Sequence, residues 1–356
     1  MILVRHVSET GETIDIVPER FEPLSYSDLA FDSGKESITY PFKIDAKSIE
    51  MLGHDNKPLA PGRVHIPIKF HQPLSVFALV DGGWLPPPFV IPSNFLVDRN
   101  VVSSLVRIRR GVSTARTDWW FQFFNEFTPL INPGLYAFEG HELRPPSFDE
   151  FRDSFDEGSK EIASQLPGAK LVSYGEIHYK AAYDMLLEFS DRYDHEAKFL
   201  MKVAPKVTFR PANSHLSQTE AEILEIAAEL GLKTHSLAVI AILACLYERA
   251  DGTGFLAARR IIKPSTSYGP QNAHNALADL RALEIFISGV GLGREPFALC
   301  TCDKAIVAFW CGLDAHAQHW NDERLSFTVS VTEHLFPRLQ PVGREQLAAI
   351  IGGESS

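Results

Sequence analysis

Apolar and polar positions alternate in short pieces through the first quarter of the chain. Thr13-Ile14-Asp15-Ile16-Val17, Val64-His65-Ile66-Pro67-Ile68-Lys69-Phe70 and Ser75-Val76-Phe77-Ala78-Leu79-Val80 all read as strands, separated by Gly, Pro and Asn-Asp clusters. Leu85-Pro86-Pro87-Pro88-Phe89-Val90-Ile91-Pro92 then has the composition of a stiff connector. The pattern changes after it. Phe95-Leu96-Val97 is an apolar run that stops on Asp98 and passes into helical sequence. Ser147-Phe148-Asp149-Glu150 and Ser217-Gln218-Thr219-Glu220 have the form of capping boxes. Apolar residues recur at helical spacing over 175–203, 217–230, 235–249 and 272–289, and Phe297-Ala298-Leu299-Cys300-Thr301 is a further strand. Leu325 to Val331 alternates and is expected to close the sheet.

Strands that alternate with helices predict an α/β fold with a mostly parallel sheet. The expected division is a β-rich unit over 1–90, an α/β domain over 91–335 with a helical insertion at about 152–270, and a tail over 336–356. The chain's 356 residues exceed the ~250–300 at which a single core stops growing. No apolar stretch reaches the ~18–20 residues that span a bilayer. The N-terminus carries Arg5, His6, Glu9 and Glu12 where a signal peptide needs an apolar core. Together these predict a cytoplasmic protein without a membrane partner. Cys245, Cys300, Cys302 and Cys311 lack the spacing of a zinc site and read as reduced thiols.

The net charge of −11 argues against a surface that attracts nucleic acid as a whole. Arg99, Arg107, Arg109 and Arg110, with Arg116 beyond them, are a local exception: a solvated helix face by the plainer reading, a grip on a phosphate backbone if they lie beside a catalytic centre.

That centre is suggested by acids at the ends of elements. Asp98 ends the strand at 95–97, Glu139 lies in Tyr136-Ala137-Phe138-Glu139, Asp279 and Glu284 share one helix, and Asp303 follows the strand at 297–301. A carboxylate at the carboxyl end of a strand in an open α/β sheet stands on the edge where ligands bind. Asp279 sits among apolar neighbours, where an unpaired charge is costly and calls for a cation or a donor.

A strand ending in Asp98-Arg99-Asn100-Val101, a helical Glu139, Ala278-Asp279-Leu280 in an Ala/Leu-rich helix, and Thr301-Cys302-Asp303-Lys304 resemble, in that order, the PIN domain family of metal-dependent nucleases. The resemblance covers roughly 92–135, 139–151 and 272–332 and implies a three-layer α/β/α core. It implies Asp98, Glu139, Asp279 and Asp303 as catalytic ligands of Mg²⁺ or Mn²⁺, with Asn100 and Thr301 supporting the first and last. It also implies hydrolysis of phosphodiesters, in RNA rather than DNA, and a protein partner able to hold the site inactive. Glu284, five positions after Asp279, points to another sector of its helix and reads as an outer-shell or structural acid. The residue types fit this chemistry: hard divalent cations prefer carboxylate and water oxygens, and a bound ion lowers the pKa of a water that attacks phosphorus.

Two other classes compete. A phosphatase-like enzyme would use Asp98 as a covalent nucleophile, but its acid/base partner belongs at position 100, which is Asn. A catalytically inactive PIN-like fold would act as a protein or nucleic-acid binding module, its acidic surface holding a protein partner. Weaker signals have plain readings. Gly289-Val290-Gly291-Leu292-Gly293 follows a helix and reads as its end. Trp119 to Phe124 reads as core, and His316 and His319, placed on one helical face, read as surface residues.

Overall fold

The strand order of the central sheet decides where a site can form. The computed structural model describes residues 4–7, 13–17, 21–29, 38–45, 50–52, 63–70, 74–90, 94–109, 119–139, 143–249, 251, 254–291, 297–321 and 324–352. Strands β1 (Val4–Val7), β2 (Thr13–Val17), β3 (Ile38–Asp45), β4 (Glu50–Leu52) and β5 (Arg63–Phe70) come first; β1, β2 and β4 form one antiparallel sheet, and β3 pairs antiparallel with β5. Then follow β6 (Phe77–Val80), β7 (Gly83–Leu85), β8 (Asn94–Val97), helices α1 (Arg99–Arg109) and α2 (Trp119–Glu126), β9 (Leu130–Asn132), α3 (Gly134–Glu139), α4 (Phe148–Gln165) and β10 (Lys170–Leu171). A helical stretch holds α5 (Glu176–Val203), α6 (Leu216–Glu229), α7 (Leu237–Leu246), α8 (Ala257–Ile262) and α9 (Pro270–Gly291). The chain closes with β11 (Phe297–Thr301), α10 (Lys304–Leu313), β12 (His316–Asn321), β13 (Arg324–Thr328) and α11 (Pro341–Gly352).

The six-stranded sheet has the order β10-β9-β8-β11-β6-β7. β10, β9, β8 and β11 run parallel to their neighbours, and β6 and β7 extend the β11 edge antiparallel. The fold is therefore α/β with a mostly parallel mixed sheet. From β8 the chain steps outward through β9 to β10, then returns across the sheet to lay β11 on the other side of β8. That reversal opens a crevice beyond the carboxyl ends of β8 and β11.

The boundary expected near 85–92 does not part the sheet, because β6 and β7 precede it and hydrogen-bond into the sheet. Pro87–Phe89 is a buried 3-10 turn rather than an exposed spacer, while 91–93 lie outside the described residues. Trp84, fully buried, exchanges two backbone hydrogen bonds with Leu24 (2.8 and 3.0 Å), so the segment around Phe21, Leu24 and Leu29 joins the same core. Gly83 permits this approach: a Cβ there would stand 2.2 Å from the Leu24 carbonyl oxygen, at a φ of 157°. Gly83→Ala is expected to cost ~1–3 kcal/mol, read as a lowered Tm, because backbone must move to admit the methyl.

The helical insertion expected at about 152–270 is likewise no separate unit. β10 lies within it and supplies the sheet's far edge, and every residue of α7 is buried in the shared core. A helix with no polar face is stable here because it is buried on all sides. Residues 336–352 are not a tail either: Phe336, Leu347 and Ile351 are buried, and only 353–356 lie outside the described residues. The Ser147 capping box forms, with reciprocal bonds to Glu150. The expected box at Ser217 does not, because α6 already begins at Leu216, straight out of a 3-10 turn at Asn213–His215. β13 pairs with β12 in a separate two-stranded ribbon instead of closing the main sheet, and His316 and His319 lie in β12 rather than on a helix. Helix α9 runs to Gly291, with 292 and 293 outside the described residues, and Trp120, Phe123 and Phe124 of α2 are core. All four cysteines are free, Cys245 and Cys300 buried and Cys302 and Cys311 partly so. Among the described residues no helix is long and apolar enough to cross a membrane.

Candidate active site

Buried Phe95, Leu96 and Val97 lock β8 into the core, and Asp98, the residue after it, is still tied to the sheet, its N–H donating to the Cys300 carbonyl at 2.9 Å. Its own carbonyl accepts from Val101 and Val102, so α1 starts at once and the side chain is left at the strand's carboxyl end. Thr301 ends β11 in the neighbouring position. Its fully buried hydroxyl donates to Asp98 Oδ2 at 2.9 Å and accepts from the Asp303 N–H at 2.9 Å. One hydroxyl thus joins the ends of the two strands that flank the crevice. Asn100 Nδ2 adds a second bond to Asp98 Oδ2 at 3.2 Å. Asp303 Oδ1 accepts from the Ala305 N–H at 2.7 Å and caps α10.

The other two acids arrive from helices. Glu139 is the last residue of α3, which follows β9 directly, and the Arg99 guanidinium reaches it at 3.5 Å while lying 5.4 Å from the centre of the Tyr136 ring. Asp279 comes from α9, whose Ala276, Leu277, Leu280 and Leu283 are buried and hold it in place. Asp98, Glu139, Asp279 and Asp303 line one cavity of about 290 Å³, together with Asn100.

Electrostatics report the same convergence. Burial pushes the Asp98 carboxyl up, against the pull of its Thr301 and Asn100 hydrogen bonds, and Asp303 pushes it further. Glu139 is raised to about 7, first by burial and then by Asp98, with Arg99 opposing. Asp279 is raised well above the usual carboxylate range by burial and then by Asp98 and Asp303, with Glu139 adding and Lys263 opposing. Acids that raise one another hold a shared excess of negative charge.

The structure does not bring every expected residue here. Among the described residues no group of three His, Cys, Asp or Glu side chains is disposed as a ready metal cage, so the four acids share a cavity without forming a single closed ligand set. Glu284 is directed away, into a buried cluster with Arg192 (3.0 Å), Arg281 and Glu196. Arg99 is engaged with Glu139, and Arg107 is exposed on α1 and does not line the cavity. The Arg109 side chain and all of Arg110 and Arg116 lie outside the described residues.

Comparison with protein-family models, with curated proteins and with solved structures finds no match to this chain. The chemistry of the site therefore rests on its own residues. Sequence reasoning missed three of them: Lys263 after α8, His274 on α9 and Tyr193 on α5, the last two joined by a 2.8 Å hydrogen bond on the cavity wall. No local pattern marks any of the three.

The raised carboxyls carry a pH consequence. A carboxyl whose folded pKa is raised stabilises the fold while protonated and loses that contribution as pH rises through the folded value. For Glu139 the loss runs from 4.5 to about 7. Without divalent ions, Tm is expected to fall between about pH 4.5 and about pH 7. Mn²⁺ should recover it increasingly toward the upper end, because the ion binds only the deprotonated acids. An Mn²⁺ effect that is flat with pH would count against a carboxylate site.

Proposed function

We propose that this chain is a divalent-metal-dependent nuclease with a PIN-like three-layer core, acting on phosphodiesters in RNA more than in DNA. One observation carries the reading: at the sheet's reversal point the Thr301 hydroxyl joins the Asp98 carboxylate to the Asp303 backbone N–H, and the side chains of Asp98, Asp303, Asp279 and Glu139 line the same cavity. A bound cation would relieve such a set without protonating it. Mg²⁺ commonly takes only one or two carboxylates and completes its shell with waters and substrate phosphate. That habit suits a cavity in which no three acids form a cage. Asp98 and Asp303 would hold the ion, and Asp279 and Glu139 would bind its waters. When bound, Mg²⁺ or Mn²⁺ supplies a water of lowered pKa and neutralises charge on the leaving oxygen.

The protein's own groups do the rest. Thr301 and Asn100 both bond Oδ2 of Asp98, which fixes the plane of its carboxylate. Glu139, placed in the same cavity, would accept a proton from an attacking water. Arg99 restrains Glu139 from one side. A covalent phosphatase route finds less support, since Asn100 donates to Asp98 and its amide does not titrate as an acid/base partner must.

The test is cleavage of end-labelled RNA and DNA oligonucleotides by the full chain with Mg²⁺, Mn²⁺ or EDTA. Ion-dependent cutting that EDTA abolishes supports the reading. No cutting of either polymer with either ion would overturn it, and an inactive fold that binds a partner would then be the better account.

A further inference from the structure

Three non-glycine residues have positive φ among the described residues, Thr128, Lys263 and Asp314, and of these Lys263 lines the carboxylate cavity. It closes α8 with φ 52° and ψ 54°, its N–H bonded to the Arg259 carbonyl at 2.8 Å. Glycine or asparagine is the usual residue there, because a Cβ crowds the following carbonyl. The next residue is Pro264, which further disfavours helical backbone at the position before it. Backbone strain of this kind collects at functional sites.

Its surroundings fix where that side chain works. Ile261 and Ile262 are buried, and α8 packs against both α9, which carries Asp279, and α10, which Asp303 caps. The helix that ends at 263 therefore packs against the elements that carry both acids. The other cations on the cavity wall are occupied: Arg144 grips Glu150 through two bonds of 2.9 and 2.7 Å, and Arg281 pairs with Glu196. Lys263 is exposed, and its charge is felt at Asp279.

We propose that Lys263 is a substrate-binding residue of this cavity, its ammonium taking a non-bridging oxygen of a phosphodiester held beside Asp279 and Asp303. This rests on the nuclease reading above. The rival role is a counter-charge that merely quiets Asp279.

The backbone strain provides a clean variant. Lys263→Gly removes the amine while suiting the left-handed conformation, so its Tm should be no lower than the wild type's. Affinity for a short fluorescein-labelled single-stranded RNA, measured by anisotropy with Ca²⁺ in place of the catalytic ion, should fall about tenfold or more. The slope of log affinity against log salt should shrink by about 0.7, the share of one phosphate contact. Lys263→Arg should retain most binding, and Lys263→Met, which keeps the stem, should lose it. If Lys263→Gly unfolds, the Met variant decides.

Unchanged RNA affinity and salt slope in a protein whose wild type still cleaves would overturn the proposal and leave the nuclease reading standing. Tighter Mn²⁺ binding with unchanged RNA affinity would assign the counter-charge role instead. A wild type that neither binds nor cleaves RNA would remove both proposals together.

Discussion

Asp98→Asn is expected to abolish ion-dependent cleavage, by on the order of a thousandfold, while leaving the protein at least as stable as before. The two halves of this expectation come from the same geometry. Asn keeps the shape of Asp and an oxygen that can still accept from the Thr301 hydroxyl and the Asn100 amide, so the ends of β8 and β11 stay joined. It removes a charge that is buried and repelled by Asp303, which costs the folded state free energy at neutral pH. What it cannot do is hold a divalent ion as a carboxylate does. Asp303→Asn should behave alike, because Asn caps a helix as well as Asp and α10 keeps its first turn. Cleavage rates and Tm measured on the same preparations decide the matter. Wild-type cutting by both variants would end the carboxylate mechanism.

Arg281→Met is expected to destabilise the fold by ~3–5 kcal/mol, the usual consequence of leaving buried charge without its partner. Arg281 is nearly buried on α9, pairs with Glu196 at 3.9 Å, and lies with its guanidinium 4.6 Å from the centre of the Tyr193 ring. Glu284 is raised by burial and then by Glu196, while Arg192 and Arg281 hold it down. Arg192 alone, 3.6 Å from Glu196 and 3.0 Å from Glu284, cannot balance both. The Ser236 hydroxyl, 2.9 Å from Glu196, helps with hydrogen bonding and adds no charge. Adding Glu284→Gln should recover part of the loss in thermal unfolding. A drop below ~1 kcal/mol would mean the cluster is better solvated than its burial implies.

The same cluster explains why the fate of Glu284 differs from that of Asp279. Both sit on α9, five positions apart, and the 100° turn per residue sends them to different neighbours. The separation could be read from the spacing alone. The identity of the neighbours could not, because α5 meets α9 through residues some 90 positions away in the chain, as in the Arg192–Glu284 pair.

Local patterns were the legible part of this protein. Strand 95–97 ending on Asp98, the Ser147 cap, the wholly apolar α7 and the strand before Asp303 all follow from interactions within a few residues, so periodicity and caps predict them. The misplaced boundary at 85–92 and the supposed insertion have one cause. Proline-rich and helix-rich stretches look like linkers and inserts until long-range pairing shows that β6, β7 and β10 belong to the sheet. The His316 and His319 region failed for a related reason, since the partner that makes it a strand, β13, lies beyond a turn.

The chain's own pattern determined which acids end their elements and that an α/β sheet would carry them. Only tertiary structure decided that Asp98 and Thr301, 203 positions apart, meet at 2.9 Å, that Glu139 and Asp279 turn toward them, and that Lys263 stands at the rim. Backbone preferences act over a few residues, whereas a cavity is made where strands and helices from distant segments are forced together by burying their apolar faces.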